Sequence, residues 1–212
     1  MGLMAKLMNR LSLEWTRLTE KIRGLDFITI VQPEAVGLDP SRAYRSSPSG
    51  DEYLERLLRD CQINHSDSIL DVGCGKGNAI RWMTHFPFAK VDGLELAEPL
   101  AAIARRNFSR LGENRVTIYT GDATSFHGYD AYNFIYLYNP FPAVVMTAVL
   151  QELGRSLDRH PRELILVYNN PTCEAEIIQS GRFHVIRTYP AKWNNRIVLY
   201  SNKAPEHSRL RF

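Results

Sequence analysis

The stretch Ile69-Leu70-Asp71-Val72-Gly73-Cys74-Gly75-Lys76-Gly77 decides the fold. Its first half is a short apolar run of the kind that forms a buried strand. Its second half carries glycine at every other position and leads into the helical pattern Ala79–His85. Glycine lets the backbone turn tightly and lets a ligand approach it closely. The exposed amides of the helix that follows then face that ligand. A strand, a glycine turn and a helix in this order place a nucleotide-type site at the carboxyl end of a parallel sheet. The dinucleotide fingerprint needs a third glycine where Asn78 stands, and no Gly-Lys is followed by Ser or Thr as a phosphate loop requires.

Outward from this turn, the pattern alternates. Apolar runs predict strands at Ser68–Val72, Lys90–Leu94, Arg115–Tyr119, Tyr132–Leu137, Glu163–Val167, Phe183–Arg187 and Arg196–Tyr200. Helical periodicity predicts helices at Glu52–Cys61, Ala79–His85, Pro99–Leu111, Ala143–Leu157 and Thr172–Gln179. Strands alternating with helices give an α/β fold: a doubly wound, mostly parallel seven-stranded sheet covered on both faces. The last two strands have little between them and form a terminal hairpin, so one of them runs antiparallel.

Two acids stand where a nucleotide-like ligand needs them. Glu95 closes the second strand 22 positions after Gly73. An acid there accepts hydrogen bonds from ribose hydroxyls. Asp122, in Thr120-Gly121-Asp122-Ala123, follows the third strand. Its carboxylate can accept from an adenine amino group, and it also suits the cap of a turn.

Taken together, Asp71–Gly77, Glu95 and Asp122 resemble the motifs of the class I S-adenosylmethionine-dependent methyltransferases. The resemblance covers about Tyr53 to Tyr200. It implies S-adenosylmethionine as cofactor, with Gly73 and Gly75 under its methionine part. It implies Asp71 near the cofactor's amino group, Glu95 on the ribose and Asp122 on the adenine. A thinner likeness to the non-SET lysine methyltransferases runs from Tyr44 to Gly77.

The fourth strand ends Tyr136-Leu137-Tyr138-Asn139-Pro140-Phe141-Pro142. The same family places an Asn- or Asp-Pro-Pro-aromatic motif there in enzymes that methylate nitrogen. Here Phe141 takes the place of the second proline, and Pro142 that of the aromatic residue. Asn139 and Tyr138 are the candidate catalytic residues. Asn139, Phe141 and Asn170, the last from Asn169-Asn170-Pro171 after the fifth strand, are the candidate acceptor-binding residues. The expected activity is methyl transfer, N-directed, to an acceptor that is a small molecule, a protein or RNA. The alternatives are a cofactor-binding module without catalysis and a nicotinamide-dependent oxidoreductase; the absent glycine at Asn78 speaks against the second.

Bulk properties exclude little. A net charge of +3 in 212 residues, with 44% apolar residues, describes an ordinary globular chain and no extended basic footprint. Cys61, Cys74 and Cys173 stand far apart, so reduced thiols and a cytoplasmic location are expected. The six histidines show no paired ligand spacing, so no metal is expected. Among them only His127 lies near enough to Asp122 to reach the site. Lys76 is expected to face solvent.

The chain divides into a helix and connecting segment over 1–50, the cofactor-binding domain over 51–202 and a mobile tail over 203–212. Met4, Met8, Leu11, Trp15, Leu18 and Ile22 share one helical face. That face is expected to pack on the chain's own domain, or to join two copies as a homodimer. No run is long enough for a bilayer, and no membrane contact is expected. The Pro- and Ser-containing stretch Asp26–Gly50 reads as a plain connection.

Overall fold

The computed structural model describes residues 14–212. It contains a seven-stranded sheet in the order β3-β2-β1-β4-β5-β7-β6. The strands are β1 (Ser68–Val72), β2 (Lys90–Glu95), β3 (Ile118–Thr120), β4 (Phe134–Tyr138), β5 (Ile165–Asn169), β6 (His184–Pro190) and β7 (Arg196–Ser201). The first five are mutually parallel. β7 runs antiparallel to both β5 and β6, which makes the expected terminal hairpin.

The helices are α1 (residues 14–22), α2 (Glu52–Asp60), α3 (Asn78–Met83), α4 (Glu98–Leu111), α5 (Ala143–Arg159) and α6 (Glu174–Gln179). The side chain of Asp51 caps α2 by accepting from the amides of Tyr53 and Leu54 at 3.0 and 3.2 Å. Strand side chains alternate between two cores. Ile69, Phe134, Tyr136, Ile165 and Val167 face α2, α3 and α4, whereas Leu70, Ile135, Leu137, Leu166 and Tyr168 face α5 and α6. The sheet is thus covered on both faces.

Strand β3 starts three residues later than its apolar pattern suggests. The amide of Thr117 donates to the buried side-chain carboxylate of Asp92 at 2.7 Å and not to a backbone carbonyl of β2. Strand β4 also starts late. Asn133, just before it, turns its side-chain amide onto Ser68 and Asp67 while its backbone bonds Ser68 and Ile165.

Three expectations about the ends of the chain need correction. Residues 203–212, read as a mobile tail, are anchored at two positions. Leu210 and Ser208 are buried, and Arg209 makes two hydrogen bonds to Asp67 at 2.6 and 2.7 Å. The face of α1 that was expected to pack on the domain points outward, with Trp15 67% and Ile22 76% exposed. The side that meets the domain carries Glu20, which is buried, accepts from the amide of Phe27 at 3.0 Å and stands 3.5 Å from Arg81. Met4, Met8 and Leu11 lie outside the described residues. Finally, residues 26–50 are not a plain connection. They form a strap across the carboxyl ends of the central strands, pinned by Asp26 to Asn107 and Lys76, and by the Phe27 ring against Phe108.

Candidate active site

The glycine turn is held from below and above. The amides of Gly73 and Cys74 both donate to the carbonyl of Leu94 at the end of β2, at 2.8 and 3.1 Å. Gly73, Gly75 and Gly77 all adopt positive φ, at 77°, 54° and 87°. Gly75 has a second constraint: an added Cβ would stand 2.5 Å from Ser46 Oγ in the strap. Asn78, the residue that breaks the dinucleotide fingerprint, has a structural task, because its amide donates to the carbonyl of Ser49. Lys76 does not face solvent. Its side chain is 2% exposed and paired with Asp26, so it anchors the strap to the turn.

Above this turn lies a cleft of about 1000 Å³, counted out to its open mouth. Gly73, Gly75, Glu95, Asp122, Tyr138, Asn139 and Phe141 all line it, so the structure brings together most of the residues singled out from the sequence. Glu95 is nearly buried. Its oxygens accept from the amides of Gly75 and Ala97 at 2.8 and 2.9 Å. Burial raises its carboxyl above the usual range, against the pull of those amides. Asp122 is held on both oxygens, by the amide and hydroxyl of Thr124 and by Arg42 at 2.6 Å. Burial pushes its carboxyl up, but these hydrogen bonds outweigh it and the net direction is down.

Asp71 takes a different position from the others. It is buried beneath the turn and is not part of the cleft lining. Burial and the neighbouring charge of Glu95 raise its carboxyl well above the ordinary value. His127 is exposed in a helical turn and does not line the cleft. The Cys74 thiol is buried and raised well above its usual range, first by burial and then by Asp71. Among the described residues no group of three His, Cys, Asp or Glu side chains could hold a metal.

A second, more open cavity of about 950 Å³ adjoins the cleft. Asn170 lines only this outer cavity, and Phe141 lines only the cleft. Tyr138 and Asn139 line both, as do Tyr44, Arg45 and Ser47 from the strap. Asn139 and Asn170, at the ends of β4 and β5, both take positive φ, 40° and 55°, a conformation asparagine tolerates better than most residues. The hydroxyl of Thr172 donates to Asn139 Oδ1 and so ties the two strand ends together. Burial raises the Tyr138 phenol above its usual range.

The strap residues were missed from the sequence. Proline and serine mark irregular backbone, and nothing in their pattern distinguishes a linker from a wall.

The model of a methyltransferase domain family matches residues 69–160, from β1 to the end of α5. That stretch carries the glycine turn and Glu95 and Asp122, so the part of the chain that builds the cleft is similar to a methyltransferase domain. The chain is 31% identical over 97 residues to a protein-L-isoaspartate O-methyltransferase of Roseiflexus castenholzii (strain DSM 13941 / HLO8). The match takes in 45% of this chain and spans only 40% of that relative's length. The PH0226 protein from Pyrococcus horikoshii OT3 shares the fold with a TM-score of 0.57 at 17% identity, over 72% of this chain and 89% of that one. A methyltransferase from Aquifex aeolicus gives the same TM-score at 16% identity, over 70% and 89%. A mutant of MtNAS solved with S-adenosylmethionine follows at 0.54 and 19%, over 70% and 60%. No described helix is long and apolar enough to cross a membrane.

Proposed function

We propose that this chain binds S-adenosylmethionine in the cleft and transfers its methyl group to an acceptor that enters through the outer cavity. The observation that carries this reading is the junction of the two cavities at Tyr138 and Asn139, beside the glycine turn. The residues present fit the cofactor. Gly73 and Gly75 line the cleft with backbone alone, and Glu95 and Asp122 offer carboxylates toward it. The Ser47 hydroxyl is a buried polar atom without a partner among the described residues, as a site built for a polar ligand supplies. When bound, the sulfonium group supplies an electrophilic methyl carbon.

What this chain adds is position. Methyl transfer needs the acceptor atom in line with the methyl carbon and sulfur, and orientation of this kind contributes on the order of 7–11 kcal/mol. Asn139 stands at the junction with its oxygen tied to Thr172. A carbonyl oxygen has two lone pairs, so it can still accept from an acceptor N–H. Burial raises the pKa of the Tyr138 phenol, which can orient an acceptor as a neutral hydroxyl. The motif around Asn139 favours a nitrogen acceptor. The name of the Roseiflexus relative, an O-methyltransferase, favours a carboxyl oxygen instead.

Methyl-labelled cofactor incubated with the full chain and fractionated cell extract tests both. Label should appear in one fraction. Label that survives mild alkali marks nitrogen, and label released as methanol marks a carboxyl ester. A folded, cofactor-binding chain that labels no fraction would leave a binding module without catalysis as the better reading.

A further inference from the structure

The strap crosses the cleft in a defined direction. Arg42 stands at Asp122, the adenine-side acid; the amide of Tyr44 donates to the carbonyl of Pro140 at 3.2 Å; Ser46 Oγ stands over Gly75; and the carbonyl of Ser49 meets Asn78. Arg45 and Ser47 therefore lie toward the glycine turn, at the end away from the adenine side. They flank Ser46, whose backbone is extended and bridged to Val31 at 3.1 and 2.9 Å. In extended chain, residues two apart share a side. Both residues line the cleft and the outer cavity alike.

Each brings a polar group with no hydrogen-bond partner among the described residues. Ser47 Oγ is shut off from solvent and has no hydrogen-bond partner among the described residues. Arg45 makes no ion pair or hydrogen bond among them, yet it stands close enough to Tyr138 to act on its phenol. A buried hydroxyl without a partner costs stability, and a second ligand-facing donor beside it is a guanidinium, which matches carboxylate geometry. We propose that Arg45 and Ser47 bind the α-carboxylate of the cofactor's amino-acid end. This rests on the cofactor reading above and extends it to two residues of the strap.

Calorimetry with two stable probes separates the claims. S-adenosylhomocysteine carries the amino-acid end, and 5′-methylthioadenosine lacks it. Hydrogen bonds to a charged group suggest that Ser47→Ala weakens S-adenosylhomocysteine about 10-fold and Arg45→Gln about 10–100-fold. Neither variant should change the affinity for methylthioadenosine. Wild-type protein that binds neither probe overturns the cofactor reading itself and this assignment with it. Variants that bind S-adenosylhomocysteine as tightly as wild type overturn the assignment and leave the cofactor reading intact. Equal loss for both probes also overturns it, since a carboxylate contact cannot act on a ligand without one.

Discussion

Arg42 reaches across 80 residues of sequence to place its guanidinium 2.6 Å from Asp122, the acid expected on the adenine. The strap therefore draws on the carboxylate proposed to hold the adenine. The pair is half exposed on the arginine side, so it contributes little stability, about 0.2–1 kcal/mol. Arg42→Ala should leave the melting temperature nearly unchanged and tighten S-adenosylhomocysteine by about 1.5–5-fold, because Asp122 no longer has to be shared. The gain should vanish in an Asp122→Ala background. Weaker binding in Arg42→Ala, measured by calorimetry, would mean that the arginine assists the ligand instead of competing with it.

Asp71 gives a pH prediction. Its carboxyl is raised in the folded state by burial and by Glu95. Between the ordinary aspartate value and that raised value, the folded protein holds a proton that the unfolded chain has lost. Its contribution to stability therefore falls as pH rises through this window. Asp71→Asn should flatten that fall and raise the urea midpoint of the ligand-free protein at pH 7. Urea titrations from pH 4 to 8 on both proteins check this. A lower midpoint for the variant at pH 7 would show that the carboxylate is stabilising.

The two sides of α1 should respond in opposite ways. Trp15 and Ile22 are exposed, so Trp15→Ser and Ile22→Ser should change the unfolding free energy by less than about 0.5 kcal/mol. Glu20→Ala leaves the Phe27 amide without its acceptor and should cost about 1–3 kcal/mol. Denaturant curves at dilute protein concentration read both. A large loss from the serine variants would place the apolar face against the domain after all.

Asn139→Ala should leave cofactor affinity nearly intact and slow label transfer to the accepting fraction by about 10–1000-fold. Thermal melts on the same variant separate this from damage to the strand end. A folded variant with an unchanged rate removes Asn139 from the reaction.

The sheet and most of the cleft were legible because they rest on local signals. A buried strand must be apolar, a turn at positive φ favours glycine, and Asp122 and Glu95 follow their strands at fixed positions. The strap was not legible. Its contacts, Arg42 with Asp122, Ser46 with Gly75 and Tyr44 with Pro140, join residues far apart in sequence, and none leaves a periodic trace. Lys76 was misread for the same reason: a lysine ahead of a helix is ordinarily solvated, and the distant Asp26, with Glu20 near it, makes its burial tolerable. Among the described residues, Trp15, Leu18 and Ile22 of the apolar stripe lie together on the exposed side of α1. Which way that face points depends on Glu20 finding the Phe27 amide and Arg81, and periodicity alone does not encode it.

The most direct test of the account is a calorimetric titration of S-adenosylhomocysteine into the full chain, wild type and Glu95→Gln. Glu95 lines the cleft while its oxygens hold the amides of Gly75 and Ala97, so the glutamine keeps one acceptor oxygen and removes the charge. The account predicts one site per chain in the wild type, and affinity at least about 10-fold weaker in the folded variant. Wild-type protein that gives no binding heat at any temperature, or a Glu95→Gln protein that binds as tightly as wild type, would contradict it.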